Sequence, residues 1–335
     1  MPVGLKFLNN LIPNAIMGSA LRARAPQAAR ELLPGTPIKK RDKMNFQPLT
    51  LREIGAFRPL FQKLTSRTCD YTVGSMFMWR DFFHIEYALE KGALFSRLRI
   101  EEGNGHYYLP VSDDVEGALQ RLIGERTEEE PLRFWTIPEE YVPLFTRTGR
   151  VVSITEQPDL FDYLYQAEDL AGLKGKRYSG QRNQISQFKR GCDAWEFRPM
   201  EKEDIGRVTG FFKEHYLDTA SDGAWERKEN EGVLEVLEHF DAYGMQGGVL
   251  TADGAVAGFS LHEIIGDTMY THIEKADRRV KGAYQMLVNQ AAAAFAGEGV
   301  LYINREEDMG DPGLSASKKS YHPLELLKKY VIEIT

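Results

Sequence analysis

Two similarly built α+β halves in tandem, each a mixed sheet flanked by helices, are what this sequence implies. Three observations point there. From Met44 onward, stretches with apolar residues every third or fourth position alternate with stretches where apolar and polar residues alternate singly. The two halves run in the same order of strand, helix, antiparallel strands, helix, strand. The composition is that of an ordinary globular chain: 335 residues, 42% apolar and 27% charged, enough for two domains of roughly 100–200 residues each. That composition excludes a disordered, fibrous or disulfide-stapled protein.

The elements follow in order. Leu51–Leu64 reads as a helix, with Thr50 as N-cap and Glu53 closing a capping box. Strands His84–Leu89 and Ala93–Glu101 flank the turn Lys91–Gly92, and Asn104–Gly105 turns the chain into His106–Val111. Asp113 or Asp114 caps a helix that stops at Gly124. Leu132–Ile137 is a strand, Pro138 opens a short helix, and Val151–Thr155 is the last strand of an N-terminal unit, residues 44–158. Residues 159–192 read as a basic connecting segment. Between Leu173 and Arg190 it carries six basic residues and no acidic one, and its end, RNQISQFKR, has helical spacing with Gly191 as the stop. Residues 193–335 form the second unit. Its strands are Trp195–Pro199, Gln246–Ala252, Val256–Ile264, Thr268–Glu274, Val300–Asn304 and Lys329–Ile334. Its helices are Lys202–Tyr216, Ala224–Tyr243, Gly282–Ala296 and one near Pro312–Lys319.

Charge is unevenly spread. Residues 1–43 sum to +6 and the remainder to −13, for a net −7. The basic end reads as a poorly ordered extension ahead of a domain that opens at Met44; Leu5, Phe7, Leu8, Leu11 and Ile12 leave a weak membrane-surface helix as the other reading. Two cysteines cannot make a disulfide framework, so a cytoplasmic location is expected. No window approaches the roughly 18 apolar residues of a membrane span, so no transmembrane segment is expected. The histidines show no HxxxH or HxH spacing, and no metal site is expected.

Four features carry candidate chemistry. The second half has the element order of the GNAT acyltransferase fold, in which a strand splits from its neighbour and the next helix aims its free N–H groups at an anion. Here Arg279-x-x-Gly282 begins the Arg/Gln-x-x-Gly-x-Gly/Ala loop of that fold, but Tyr284 stands where a small residue belongs. His272 and Glu274 share one face of their strand, and a desolvated carboxylate there suits a general base; an ion pair of Glu274 with Lys275 or Arg278 is the alternative. The acidic loop REEDMGDPGL suits a divalent cation, or ties down basic side chains. The basic stretch suits phosphates, with Tyr178 and Phe188 for stacking; a solvated helix or an interdomain contact is the alternative.

Four stretches, DYLYQAEDLAGLKGKRYSGQRNQISQF, THIEKADRRVKGAYQMLVNQAAAAF, INREEDMGDPGL and SYHPLELLKKY, resemble the bacterial family of phosphatidylglycerol lysyltransferase C-terminal-like proteins, over roughly residues 44–335. The resemblance implies two tandem GNAT-like (acyl-CoA N-acyltransferase-like) halves. It also implies transfer of an aminoacyl group from aminoacyl-tRNA to a lipid headgroup, or, in the related Fem-type enzymes, to a peptidoglycan precursor. On that likeness Lys176, Arg177, Arg182 and Asn183 fall on the basic segment, and His272, Glu274 and Lys275 on the HxEK strand. Arg305, Glu306 and Asp308 fall on the RExD loop, and Lys318, Tyr321 and Pro323 on the terminal block. Gln181 and Ser315–Ala316 depart from positions that are often basic in relatives. The expectation is therefore an acyl or aminoacyl transferase acting on a lipid headgroup or small molecule. Its donor, acyl-CoA or aminoacyl-tRNA, is gripped by Lys176, Arg177, Arg182, Asn183 and Lys318, with Gly282 at the start of its helix. Glu274 or Glu306 takes the acceptor's proton, His272 stands beside them, and Tyr321 protonates the leaving group. The expected partners are an anionic donor such as tRNA and a peripheral phospholipid surface. The competing expectation is a non-catalytic module that binds an anionic nucleotide, RNA or phospholipid headgroup.

Overall fold

The computed structural model describes residues 43–99, 105–125, 131–217, 224–297 and 299–335. The basic extension, up to residue 42, and Asn104 of the expected hairpin turn lie outside the described residues.

Six strands come from the first half: β1 (Gln47–Pro48), β2 (Glu86–Glu90), β3 (Ala93–Leu98), β4 (His106–Tyr107), β5 (Leu132–Pro138) and β6 (Val151–Glu156). Eight follow: β7 (Asp162–Gln166), β8 (Trp195–Pro199), β9 (Gln246–Ala252), β10 (Ala255–Ile265), β11 (Thr268–Ala276), β12 (Tyr302–Asn304), β13 (Glu325–Leu327) and β14 (Lys329–Ile334). They form two seven-stranded sheets, ordered β1-β2-β3-β4-β5-β14-β6 and β13-β7-β12-β11-β10-β9-β8. Each sheet has one parallel pair, β4 with β5 and β11 with β12.

The sheets cut across the expected boundaries. β7, in the expected connector, lies between β12 and β13 of the second sheet, and β14 ends the second half yet lies between β5 and β6 of the first. The segment expected to be a connector, 159–192, thus supplies the second half with a strand and the helices Ala167–Gly172 and Ser179–Arg190. The physical reason is backbone satisfaction. Each half leaves a gap between two of its own strands, and an apolar strand from elsewhere in the chain fills the ladder that would otherwise face the interior unpaired.

Local chemistry sets most boundaries. Glu53 accepts from Thr50 N at 2.8 Å, Asp114 accepts from Gly117 N at 2.8 Å, and Asp311 caps Pro312–Lys319 through Leu314 N at 2.7 Å. β4 is shorter than the expected His106–Val111. Pro110 has no N–H to donate, and Val111 returns to the sheet only as a single bridge to Leu94. β11 pairs with β12 only over Thr268–Tyr270 and continues to Ala276, so the two strands part beyond Tyr270.

One apolar core runs across the two halves, joining Phe57, Phe77 and Phe134 to Phe212, Phe259 and Leu261. A second lies on the far face of the second sheet, where Met286 and Leu287 of helix Ala283–Phe295 meet Tyr165, Tyr178 and Phe188. With strands exchanged and a core shared, the halves should unfold together. Tryptophan fluorescence (Trp79, Trp135, Trp195, Trp225) and far-ultraviolet circular dichroism should give superimposable denaturant curves; two resolved transitions would contradict the shared core.

Candidate active site

The exchanged strands each begin with a charged residue, and the two residues meet. Lys329 Nζ opens β14 and lies 2.7 Å from Asp162 Oδ1, which opens β7. Both side chains are out of contact with water, at 1% and 0% exposure. Asp162 also accepts from Cys69 N at 2.7 Å and from Asn304 Nδ2 at 2.9 Å. Lys329 Nζ further contacts Asp70 Oδ2 at 2.8 Å and Glu307 Oε2 at 3.7 Å. Cys69, Asp162 and Glu307 converge closely enough for metal ligation, but the Lys329 ammonium stands among them, 3.5 Å from the Cys69 sulfur.

Three carboxylates therefore face one ammonium, and the acid–base balance reflects it. Burial raises the Glu307 carboxyl, Lys329 pulls it back, and Asp162 and Glu306 push it up again, to about 7. Burial raises Asp70 as well, and pushes the Cys69 thiol well up, which keeps it an unreactive thiol. Lys329 is held protonated: burial opposes its charge, but Asp162 and Asp70 outweigh that.

Glu307 opens onto a cavity at the seam with about 70 Å³ of free volume. Asp70, Ser75, Glu306, Glu307 and Lys329 give it a polar floor, and Trp79, Phe83, Tyr108, Trp135 and Trp225 give it aromatic walls. Trp79 and Trp225, one from each half, stack with centroids 4.4 Å apart. Thr136, Glu306 and Met309 line the cavity with positive φ, at 49°, 56° and 53°. Such backbone is costly for side-chain-bearing residues and concentrates at functional sites. Thr136 sits where the β5–β14 register shifts, between Tyr330 and Ile332.

Glu306 is held rather than free. His272 Nδ1 is 2.7 Å from Glu306 Oε1, and Ser75 Oγ donates to the same oxygen at 3.2 Å. His272 Nε2 lies 3.5 Å from Glu263 Oε2, which itself accepts from Gly74 N at 3.0 Å. The imidazole lies flat on Gly74: a Cβ there would come within 2.4 Å of the ring, so only glycine admits it. Burial would lower the His272 pKa, but Glu263 and Glu306 on either side raise it to about 9. His272, expected to stand beside the base, is thus an imidazolium clamp between two carboxylates, Glu306 being one of the two bases expected from sequence.

The other expected residues fall outside the cavity. Glu274 is committed to Arg305, which donates to its Oε2 from Nη2 at 2.6 Å and from Nε at 3.1 Å; Arg305, not Lys275 or Arg278, is its partner. Tyr321 is 2% exposed, burial raises its hydroxyl to about 12, and its ring carries the Arg305 guanidinium at 4.8 Å. Lys318 is 7% exposed and donates to the carbonyls of Arg305, Glu306 and Glu307; it holds the acidic loop and has no donor left for a phosphate. Arg182 donates to the carbonyls of Leu173 and Gly175, so it staples its own loop and does not reach the HxEK strand. Arg177 pairs with Asp169 at 2.7 Å, while Lys176 and Asn183 are exposed. Gly282 faces the helix Ser179–Arg190: a Cβ would meet the Gln184 carbonyl at 2.1 Å, so its role is close helix packing. The departures Gln181 and Ser315 are likewise structural, bonded to Ser320 and to Tyr163.

Residues 61–333 match the family described as phosphatidylglycerol lysyltransferase, C-terminal. The chain belongs to that family. Its fold, two GNAT-like halves in tandem, is shared with the C-terminal domain of a putative lysylphosphatidylglycerol synthetase from Agrobacterium fabrum (14% identity, TM-score 0.58, covering 85% of this chain and 92% of that one). It is also shared with L-PGS from Bacillus licheniformis (12%, TM-score 0.60, 88% and 93%). A conserved protein of unknown function from Bacteroides thetaiotaomicron is similar at 27% identity and TM-score 0.80, covering 87% of this chain and all of that one. An uncharacterised protein of Mycoplasmoides gallisepticum is 22% identical over 178 residues, and the chain spans 56% of that relative's length. Among the described residues no helix is long and apolar enough to cross a membrane.

Sequence reasoning passed over Lys329, Asp162 and Asp70, and took Glu307 only as one acid of the loop REEDMGDPGL. One signal was available: DYLY and KYVI are two short apolar strands, each opened by a charge of opposite sign.

Two measurements follow. Lys329→Met leaves buried carboxylates uncompensated and should cost about 3–5 kcal/mol in denaturant unfolding; a loss below about 1 kcal/mol would contradict the clamp. His272 binds its proton more tightly folded, at about 9 against 6.5. Its contribution is complete below pH 6.5 and fades as pH rises through 9. Stability should fall by about 3 kcal/mol across that window, and a His272→Gln variant should show a visibly flatter profile over it.

Proposed function

We propose that the seam cavity is the reaction centre of an aminoacyl or acyl transferase, with Glu307 moving the proton. One observation carries this reading: a carboxyl with near-neutral acidity on the floor of an aromatic-walled cavity where the two halves meet. The acceptor's amine or hydroxyl must lose a proton as it attacks the donor carbonyl, and the leaving oxygen must gain one. A group with a pKa near 7 can do both in turn. Glu306, fixed by His272 and Ser75, stands beside it and orients a donor or acceptor N–H. The surplus of negative charge favours a positively charged group, such as the ammonium of an aminoacyl ester.

Three features favour an ester donor such as aminoacyl-tRNA over acyl-CoA. The start of helix Ala283–Phe295 packs on the Gln184 carbonyl. The strand edge beyond the split is covered by Tyr216 Oη, which donates to Ala276 O at 2.7 Å and accepts from Ala276 N at 3.0 Å. In the first half, helix Val115–Ile123 begins with its own cap, Asp114, and with Glu116 in its first turn, which repel an anion. Lys174, Lys176, Lys189 and Arg190 remain outward on the basic segment, a row suited to the phosphates of a long polyanion such as tRNA. The acceptor on this reading is a lipid headgroup or a small amine or alcohol.

The test is mass-spectrometric product detection with the full chain, pooled aminoacyl-tRNAs or acyl-CoAs, and phospholipid or amine acceptors. Glu307→Gln should lower transfer by about 10²–10⁴-fold, and Glu274→Gln, away from the cavity, by far less. Full activity in Glu307→Gln removes its role. Salt-sensitive RNA binding without product from any donor would instead mark a binding module.

A further inference from the structure

A second cavity, of about 600 Å³, shares no lining residue with the one that Glu307 opens onto. Residues 62 and 64–67, which follow helix Ile54–Phe61, form one wall; the turn from β10 into β11 and the start of β11 form the other. Its volume is that of a small-molecule site. Among the described residues its wall holds one cation and one anion, and they cancel. Arg67 donates to Asp267 Oδ1 from Nε at 3.1 Å and to Oδ2 from Nη2 at 2.7 Å. Leu64 and Ile265 add apolar surface. The hydroxyls of Ser66 and Thr268 are engaged by Thr68 and Asp267.

Three polar groups in this wall are left open. Tyr270 is 2% exposed, yet its hydroxyl has no hydrogen-bond partner among the described residues. A buried phenol normally finds one, and the cavity that Tyr270 lines is where a partner fits. Asp267 takes two of the three Arg67 nitrogens, and the Tyr302 ring covers one face of the guanidinium at 4.5 Å. The Arg67 side chain is still 39% exposed, which leaves its other face and Nη1. Its carbonyl accepts from Asn304 Nδ2 at 2.7 Å, so this flat platform is set in advance. The Gln62 amide, at the exposed rim, is unpartnered among the described residues. A flat cation face, a buried hydroxyl and an amide with both donor and acceptor fit one ligand shape, a neutral planar ring with polar edges. Guanidinium planes stack on such rings, and polar side chains read their edges. A phosphate or carboxylate gains little here, because Asp267 already holds the guanidinium.

We propose that this cavity binds a nucleobase, stacked on Arg67 with Tyr270 and Gln62 on its edges. Isothermal titration calorimetry of the full chain with adenosine, guanosine, cytidine and uridine should find at least one binder, with a dissociation constant of about 10 µM–1 mM. Saturation-transfer nuclear magnetic resonance should mark its base protons more strongly than its ribose protons. Tyr270→Phe removes only the unbonded hydroxyl and so keeps the fold; it should weaken binding about five- to tenfold. Arg67→Lys keeps the charge beside Asp267 but loses the plane, and should weaken binding about fivefold or more. A tetranucleotide RNA of the same base separates the two sources of such a ring. Binding at least about tenfold tighter than the nucleoside marks a base within a strand, and equal binding marks a free nucleoside. Neither readout needs a transfer reaction, so the proposal stands or falls apart from the transferase reading. Absence of binding by every nucleoside and tetranucleotide at about 5 mM overturns it. So does ribose binding as tightly as the nucleosides, or binding that Tyr270→Phe and Arg67→Lys both leave unchanged.

Discussion

The contact between Lys329 and Asp162 is the constraint around which this molecule is organised. Each residue opens a strand inserted between two strands that lie elsewhere in the chain, so one ion pair ties the two insertions together. Neither charge reaches water, and removing both from it is expensive. The return is positional. A one-residue slip in either strand would separate the charges and turn every side chain of the strand to the wrong face. Asp162 is further fixed by Cys69 N and Asn304 Nδ2, so the first half, the exchanged strand and the end of β12 all report to one carboxylate.

The candidate site is a consequence of that seam. Asp70 and Glu307 are drawn to Lys329, which cannot neutralise three carboxylates at once, and the least buried of them, Glu307, takes up the imbalance as a raised pKa. Next to it Glu306 is held instead by the His272 imidazolium and the Ser75 hydroxyl. Adjacent residues of one loop thus have different neighbours. Lys318 makes this possible from behind by gathering the carbonyls of Arg305, Glu306 and Glu307.

Much of the fold could be read from the chain because its causes are local. Trp195–Pro199, Gln246–Ala252, Pro312–Lys319 and Lys329–Ile334 match their expected bounds end to end, each set by period and by flanking turn chemistry. Tandem GNAT-like halves were legible from element order and from family likeness. The strand exchange was not, since no local pattern says which sheet a strand joins. The site divides the same way. Strand alternation and family likeness singled out His272, Glu274 and Glu306, but residue type did not reveal that Arg305 consumes Glu274, or that Lys318 and Arg182 serve backbone carbonyls. Lys329 and Asp162 lie 167 positions apart in sequence, and nothing short of the fold brings them together.

The protonation state of Glu307 ties the seam to the chemistry. Infrared or carbon-13 titration of the carboxyl groups, with Glu307→Gln as the difference spectrum, would observe it directly. A single carboxyl titrating near pH 7, absent in the variant and displaced when Lys329 is replaced by Met, is the expected result. A Glu307 that titrates below about pH 5, like an ordinary solvated glutamate, would contradict the account.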